Sequence, residues 1–101
     1  MSQVILDGRA MERDLLTRRA LQAARGLDAL GVREGDAVAL LLRNDFAFLE
    51  AQQAAAALGA YAVPINWHGK PEEVLYIVED VRPRVIVGHA DLLAPVRERF
   101  P

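Results

Sequence analysis

The sequence predicts an α/β fold, a layered βαβαβ unit in which mainly parallel strands are flanked by helices. Three short apolar runs support this, at residues 37–42, 61–66 and 84–88. The segments between these runs are long enough for a helix, and glycine or proline marks their ends. Strands joined by crossovers of this length pair in parallel and form right-handed βαβ units.

The first predicted helix covers residues 11–30. Its apolar residues recur at the spacing of one helical face. They are Leu16, Ala20, Ala23, Ala24, Leu27 and Leu30. Gly31 follows, and glycine readily adopts the left-handed conformation that ends helices. Upstream, Val4-Ile5-Leu6 is a candidate for a further short strand, with Asp7-Gly8 as its turn.

The first βα pair of the predicted sheet begins at residue 37. Residues 37–42 are continuously apolar, which is typical of a strand covered on both faces. Asn44 or Asp45 is placed to cap a helix over residues 46–58. That helix is rich in alanine, so it can lie close to a sheet or another helix, and Gly59 ends it.

The second predicted strand contains Pro64, which lacks an amide hydrogen. This indicates a sheet edge, an irregular strand end or a bulge. Pro71 favours the first turn of a helix that runs to about Val81. Its apolar side is formed by Val74, Ile77, Val78 and Val81. The third strand follows, and a final short helix is predicted from about Asp91 to Phe100.

Composition limits the class of protein. The chain has 101 residues, 52% of them hydrophobic, so residues 1–101 are predicted to form one α/β unit. Its net charge is -2 and basic residues alternate with acidic ones, so no nucleic-acid partner is expected. The absence of cysteine excludes a thiolate metal site and suits a cytoplasmic protein. Neither a signal peptide nor a membrane span is expected.

The segment Gly31–Asn44, GVREGDAVALLLRN, resembles a segment near the start of adenylate-forming enzymes, particularly AMP-forming acyl-CoA synthetases. The likeness extends from about Leu15 to Val96 through further pieces in the family's order and spacing. These are Phe48-Leu49-Glu50, Ala57–Ala60, Tyr61–Trp67, Pro71-Glu72-Glu73, Tyr76-Ile77, Glu79-Asp80 and Arg84–Val87. Asn66 favours acyl-CoA ligases over peptide synthetase adenylation domains, which tend to carry an acidic residue there.

This resemblance implies part of the larger amino-terminal domain of adenylate-forming enzymes. The complete enzyme would use ATP, Mg²⁺ and CoA to form an acyl adenylate and then an acyl-CoA. The family's phosphate loop, ribose-binding Asp and catalytic Lys lie downstream of the region matched here. No catalytic, cofactor-binding or metal-binding residue is therefore assigned, and residues 1–101 alone are expected to be inactive. Lys70 replaces the Thr or Ser usual in the family, so the helix after it loses a side-chain cap.

Other residues with chemical potential have simpler structural interpretations. The seven glycines are dispersed and do not form a phosphate loop. His68 and His89 lack a neighbouring ligand set, although His68 beside Trp67 is a candidate for ligand contact at the end of a strand. A surface loop histidine is the favoured interpretation.

Acidic pairs and aromatic residues are the other candidates. Glu72-Glu73 and Glu79-Asp80 are adjacent on a helix and do not face each other. Ser2 lies at a terminus, a poor position for a nucleophile. Four aromatic side chains could form an acyl-binding wall, but packing against helices is favoured for them. They are Phe46, Phe48, Tyr61 and Trp67.

The first functional hypothesis is the amino-terminal scaffold portion of a carboxylic acid–CoA ligase. The alternative is a free-standing α/β interaction or regulatory module, and an unrelated small nucleotide-binding fold is disfavoured by the missing phosphate-loop glycines. The expected partner is the remainder of the parent enzyme. The isolated chain is expected to self-associate through an exposed apolar face.

Overall fold

The computed structural model describes residues 2–6, 8–43 and 45–100. Its strands are β1 (Gln3–Leu6), β2 (Arg9–Glu12), β3 (Ala37–Leu41), β4 (Tyr61–Pro64) and β5 (Val85–Gly88). Its helices are α1 (Arg13–Ala29), α2 (Phe46–Ala57), α3 (Pro71–Val81), α4 (Ala90–Leu93) and a 3₁₀ turn (Arg97–Arg99). A parallel sheet has the order β4-β3-β5, and β1 and β2 form a separate antiparallel hairpin. The predicted α/β fold is confirmed.

Strand β3 is the centre of the molecule. It lies between the other two strands of its sheet, and residues 38–42 are all buried. Successive side chains of a strand point to opposite faces. Val38 and Leu40 join the core formed with α1 and α2, whereas Ala39 and Leu41 join the core formed with α3. The continuous apolar run therefore marks a strand covered on both faces, as predicted.

Helices α1 and α2 pack on one face of the sheet. The predicted stripe of α1 is buried at Leu16, Ala20, Ala24 and Leu27, and the small residues of α2 at Ala51, Ala54 and Ala55. Leu30 is exposed, contrary to prediction. The reason is that α1 ends at Ala29 and Gly31, with φ +93°, turns the chain away.

Helix α3 covers the opposite face. It begins at Pro71, and Lys70 makes no side-chain cap hydrogen bond, as predicted. Its buried residues are Val74, Leu75 and Val78. Leu75 is more deeply buried than the predicted Ile77 and Val81, which are only partly covered.

Proline explains one confirmed boundary and one error. Pro64 is the last residue of β4, an edge strand, which matches two of the predicted possibilities. The predicted helix from Asp91 to Phe100 is wrong. Proline at position 95 cannot donate to the preceding turn of a helix, so α4 ends at Leu93 and only a 3₁₀ turn follows.

The amino-terminal hairpin was only partly predicted. The candidate strand at residues 4–6 is confirmed within β1. Residues 9–12 form a second strand, in which Met11 pairs with Val4, so the helix begins at Arg13 rather than at Met11. Asp7 of the predicted turn lies outside the described residues, and Gly8 has φ +75°.

Candidate functional site

The carboxyl ends of the three parallel strands are where ligands of open α/β sheets usually bind. In this chain they bring together Arg43 after β3, Trp67 after β4, and His89 and Asp91 after β5. These side chains follow three different strands. They are called the Arg43 cluster below.

Arg43 is held from several sides. Its backbone N–H donates to Nδ1 of His89 at 3.2 Å. Its guanidinium donates to both carboxylate oxygens of Asp91, with Nη1 at 3.0 Å from Oδ1. The Cζ atom lies 5.5 Å from the centroid of the Trp67 ring. The cluster therefore joins the ends of the strands to α4 and leaves the carboxylate of Asp91 already paired.

His68 is where the favoured interpretation placed it, on the surface. Its side chain is exposed and stacks on Trp67 with ring centroids 3.5 Å apart, and its backbone N–H donates to Oδ1 of Asn66 at 3.0 Å. Within residues 2–6, 8–43 and 45–100, no group of three histidine or acidic side chains is arranged to hold a metal ion.

A second contact ties the hairpin to α2. Nη2 of Arg9 lies 2.5 Å from Oδ1 of Asp45, and the same oxygen accepts the Phe46 N–H at 2.7 Å. Asp45 is thus the helix cap, one of the two predicted candidates, while Asn44 lies outside the described residues. The Arg9 guanidinium sits 5.6 Å from the Phe46 ring centroid.

The aromatic residues do not form one acyl-binding wall. Phe48 packs on the α1 and α2 side of the sheet and Trp67 on the α3 side. Tyr61 is exposed, and Phe46 is buried beside Arg9. The favoured interpretation, packing against helices, describes Phe48 and Trp67.

The acidic pairs also have structural positions. Both carboxylate oxygens of Glu72 accept from Arg99, at 2.9 and 3.1 Å, which joins α3 to the 3₁₀ turn. Glu73, Glu79 and Asp80 are exposed. Oγ of Ser2 accepts from Nε of Arg13 at 3.2 Å and has no base beside it in the described part of the chain.

The cavity beside the Arg43 cluster is small. It measures about 110 Å³ and is bordered by Trp67, Asp91 and Leu92 among others. Ligand pockets usually enclose roughly 300 Å³ or more. A larger open groove, about 460 Å³, lies near the opposite end of β5 and includes Pro83 and Phe100 in its lining.

Sequence reasoning missed the pairing of Arg43 with Asp91 and of Arg9 with Asp45. The available signal was position. Arg43 and Asp91 each follow a strand of a parallel sheet, and such strand ends meet at one edge. Arg9 gives no comparable signal, because its position depends on the hairpin.

We expect the Arg43 cluster to make stability fall in acid. The hydrogen bonds from Arg43 lower the pKa of Asp91, and the opposite charge adds to the effect. A carboxyl whose pKa is lowered on folding stabilises the fold above its unfolded pKa, and this contribution is lost as the pH falls through the folded value. Unfolding free energy should therefore decline below about pH 4.

This expectation is tested by urea unfolding between pH 2 and pH 7. Asp91→Asn should make the acid decline shallower, whereas Asp91→Glu, which keeps the charge, should retain more of it. If the unfolding free energy of the wild type and of Asp91→Asn fell equally with decreasing pH, the acid decline would not arise from Asp91.

No helix in the described part of the chain is long and apolar enough to cross a membrane. A family model described as AMP-binding enzyme matches residues 4–100. The fatty acid–[acyl-carrier-protein] ligase ScoC of Streptomyces coeruleorubidus is 32% identical over 98 residues, which cover 97% of this chain and 19% of that protein. The long-chain-fatty-acid–CoA ligase FadD13 of Mycobacterium tuberculosis is 43% identical over 68 residues, which cover 67% of this chain and 14% of that protein.

Solved structures give the same result. The N-terminal domain of FACL13 from Mycobacterium tuberculosis superposes with a TM-score of 0.82 at 37% identity, covering 91% of this chain and 23% of that one. The anthranilate CoA ligase AuaEII, in complex with anthranoyl-AMP, superposes with a TM-score of 0.84 at 34% identity. The match covers 94% of this chain and 19% of that one. The chain spans between 14% and 23% of the length of the first curated relatives that it matches. The chain belongs to the family of AMP-binding enzymes, and its fold is that of part of the amino-terminal domain of acyl-CoA synthetases.

Proposed function

We propose that this chain is the amino-terminal scaffold of a carboxylic acid–CoA ligase, which would form an acyl adenylate from ATP and then transfer the acyl group to CoA. One observation carries the proposal. The AMP-binding enzyme family matches residues 4–100, while the chain spans only 14% to 23% of curated relatives, two of which are named as fatty-acid ligases. Asn66 is consistent with the CoA ligase branch.

The scaffold alone is proposed to be inactive, because its residues do not fit ATP and Mg²⁺. Free amides at a helix start are the usual phosphate ligands. At α2 the carboxylate of Asp45 already accepts the first amide hydrogen, and at α3 the first turn carries Glu72 and Glu73, which would repel phosphate. The described residues also lack a metal-binding group. ATP, Mg²⁺ and CoA would be bound by the remainder of the enzyme.

The scaffold role is tested in a chimaera. The corresponding amino-terminal segment of FadD13 is replaced by residues 1–101, and acyl-CoA formation from a long-chain fatty acid is measured. We expect the chimaera to retain activity, because the two segments are 43% identical over 68 residues. A FadD13 variant that lacks the segment is the control and should be inactive. A folded but inactive chimaera would argue against the proposal.

The inactivity of the scaffold needs a separate assay. Purified residues 1–101 should neither exchange pyrophosphate into ATP nor form acyl-CoA, while intact FadD13 under the same conditions serves as the positive control. Turnover by the isolated chain would contradict this part of the proposal.

The proposal extends to location and contacts. A cytoplasmic protein is proposed from the cysteine-free sequence. The remainder of the parent enzyme is the proposed natural partner. The isolated chain is proposed to self-associate through an exposed apolar surface.

A further inference from the structure

His89 joins the ends of two parallel strands. It follows β5, and its backbone N–H donates to the Leu41 carbonyl at 3.2 Å, which extends the contact of β5 with β3 beyond Gly88. Its own carbonyl accepts the N–H groups of Leu92 and Leu93 at 3.0 Å, both within α4. The backbone of His89 is therefore fixed by three hydrogen bonds, and its side chain starts from a defined position.

The imidazole of His89 holds a second segment of backbone. Its Nδ1 accepts the N–H of Arg43, the second residue after β3, at 3.2 Å. A neutral imidazole has one nitrogen that accepts and one that donates, so this contact assigns the ring proton to Nε2. Within residues 2–6, 8–43 and 45–100 the Arg43 amide has no backbone acceptor. The imidazole is therefore what ties the chain after β3 to the end of β5.

Protonation of His89 is incompatible with this hydrogen bond. An imidazolium carries a hydrogen on both ring nitrogens and accepts at neither. The Arg43 N–H and the new Nδ1–H would then be two donors facing each other across 3.2 Å. Histidine is the side chain type that ordinarily changes its charge between about pH 5 and pH 8. The contact is thus one that a moderate change of pH can break.

Two carboxylates are placed to attract a protonated His89. The pKa of Asp45 is lowered mainly by the hydrogen bond from the Phe46 N–H, and that of Asp91 mainly by the hydrogen bonds from Arg43. A positive charge on His89 lowers both pKa values further, which shows that the ring lies near both carboxyls. One carboxylate belongs to the cap of α2 and the other to α4.

The positive charges near His89 are already balanced. Arg9 pairs with the carboxylate that caps α2, and Arg43 pairs with the carboxylate of α4. On the segment after β4, the His68 and Lys70 side chains are exposed. The partly buried His89 ring therefore lies among two cations and two anions. Such surroundings exclude neither the neutral nor the protonated ring.

We propose that His89 is a pH-sensitive switch at the carboxyl edge of the sheet. The neutral ring holds the Arg43 backbone to β5, whereas the protonated ring releases it and turns toward the carboxylate of Asp45 or Asp91. Ligands of open α/β sheets usually bind at this edge. The switch therefore controls how the Arg43 guanidinium and the Trp67 ring beside it are presented there. This role goes beyond that of a ligase scaffold and does not depend on it.

The test is a titration of ¹⁵N-labelled residues 1–101 by NMR between about pH 5 and pH 8. At the upper end, the His89 ring should carry its proton on Nε2. The Arg43 amide resonance should shift with the same midpoint as the ring. Protection of this amide from hydrogen exchange, relative to an unstructured peptide at each pH, should fall about tenfold on protonation because one hydrogen bond is lost. This transition lies above the acid decline expected from Asp91, so the two effects are separable.

His89→Asn is the matched variant. The side-chain oxygen of asparagine can take the place of Nδ1 and accept the Arg43 N–H, and it does not titrate in this range. The Arg43 amide of this variant should stay protected throughout and show no transition. His68→Asn is the control, because it removes the other of the two histidines and should leave the transition unchanged.

Four results would each overturn the proposal. They are an Arg43 amide that does not respond to pH, a midpoint that differs from that of the His89 ring, a neutral ring protonated at Nδ1, and a transition that persists in folded His89→Asn. The first three are read from the unmodified chain, so the test does not rest on folding of the variant. None of these readouts involves ligase activity, so a failure here is distinguishable from an inactive chimaera.

Discussion

Replacing Leu40 by alanine is expected to lower the free energy of unfolding by about 3 kcal/mol. Leu40 has no exposed surface and lies in the central strand, where it packs into the core with Ala54 and Ala55 of α2 and Leu27 of α1. The small helix residues beside it cannot extend to fill the space, so a cavity would remain. Domains of this size have a total stability of about 5–15 kcal/mol, so this loss is a large fraction.

Urea unfolding followed by circular dichroism measures the effect. The matched control is Leu21→Ala, since Leu21 is 52% exposed on α1 and should change the unfolding free energy by less than about 0.5 kcal/mol. A loss below about 1 kcal/mol for Leu40→Ala would show that the two helices are not packed on β3 as described.

The elements that sequence predicts well here are those fixed by local chemistry or by burial on two faces. The apolar run around Leu40 is long enough for a strand but too short for a helix. Pro64 removes one backbone hydrogen-bond donor from any strand that contains it. Asp45 precedes the first turn of α2 in the usual position of a cap. The prediction of a site without catalytic residues has a different basis, the family resemblance, and stays a prediction.

The missed features depend on contacts between distant residues. Residues 9–12 read Arg-Ala-Met-Glu, which suits a helix by composition, and become a strand through pairing with β1. The Arg43–Asp91 pair joins residues 48 positions apart and exists because two strand ends meet. The final helix is a different case. Pro95 was a local signal, and the predicted helix crossed it.

The pair formed by Arg19 of α1 and Glu50 of α2 should respond unequally to removal of its two members. Nε of Arg19 lies 2.5 Å from Oε1 of Glu50. The Glu50 side chain is only 10% exposed, whereas that of Arg19 is 53% exposed. Oε1 accepts no hydrogen bond from the described residues. The positive charge of Arg19 is therefore what offsets the burial of the negative Glu50 carboxylate. Without Arg19, the carboxylate would remain buried and unpaired, while Arg19 without Glu50 could turn to water.

Arg19→Met is therefore expected to lower the unfolding free energy by about 2 kcal/mol, between the values typical of exposed and of fully buried pairs. Glu50→Met should change it by less than about 1 kcal/mol, because it removes a buried charge and keeps a similar volume. The double variant should resemble Glu50→Met, since the partner whose isolation is unfavourable is gone. Urea unfolding of the wild type, the two single variants and the double variant, at pH 7 and low salt, completes the double-mutant cycle. If Glu50→Met proves more destabilising than Arg19→Met, Glu50 contributes through packing or contacts other than Arg19, and the α1–α2 interface does not depend on compensation of a buried charge.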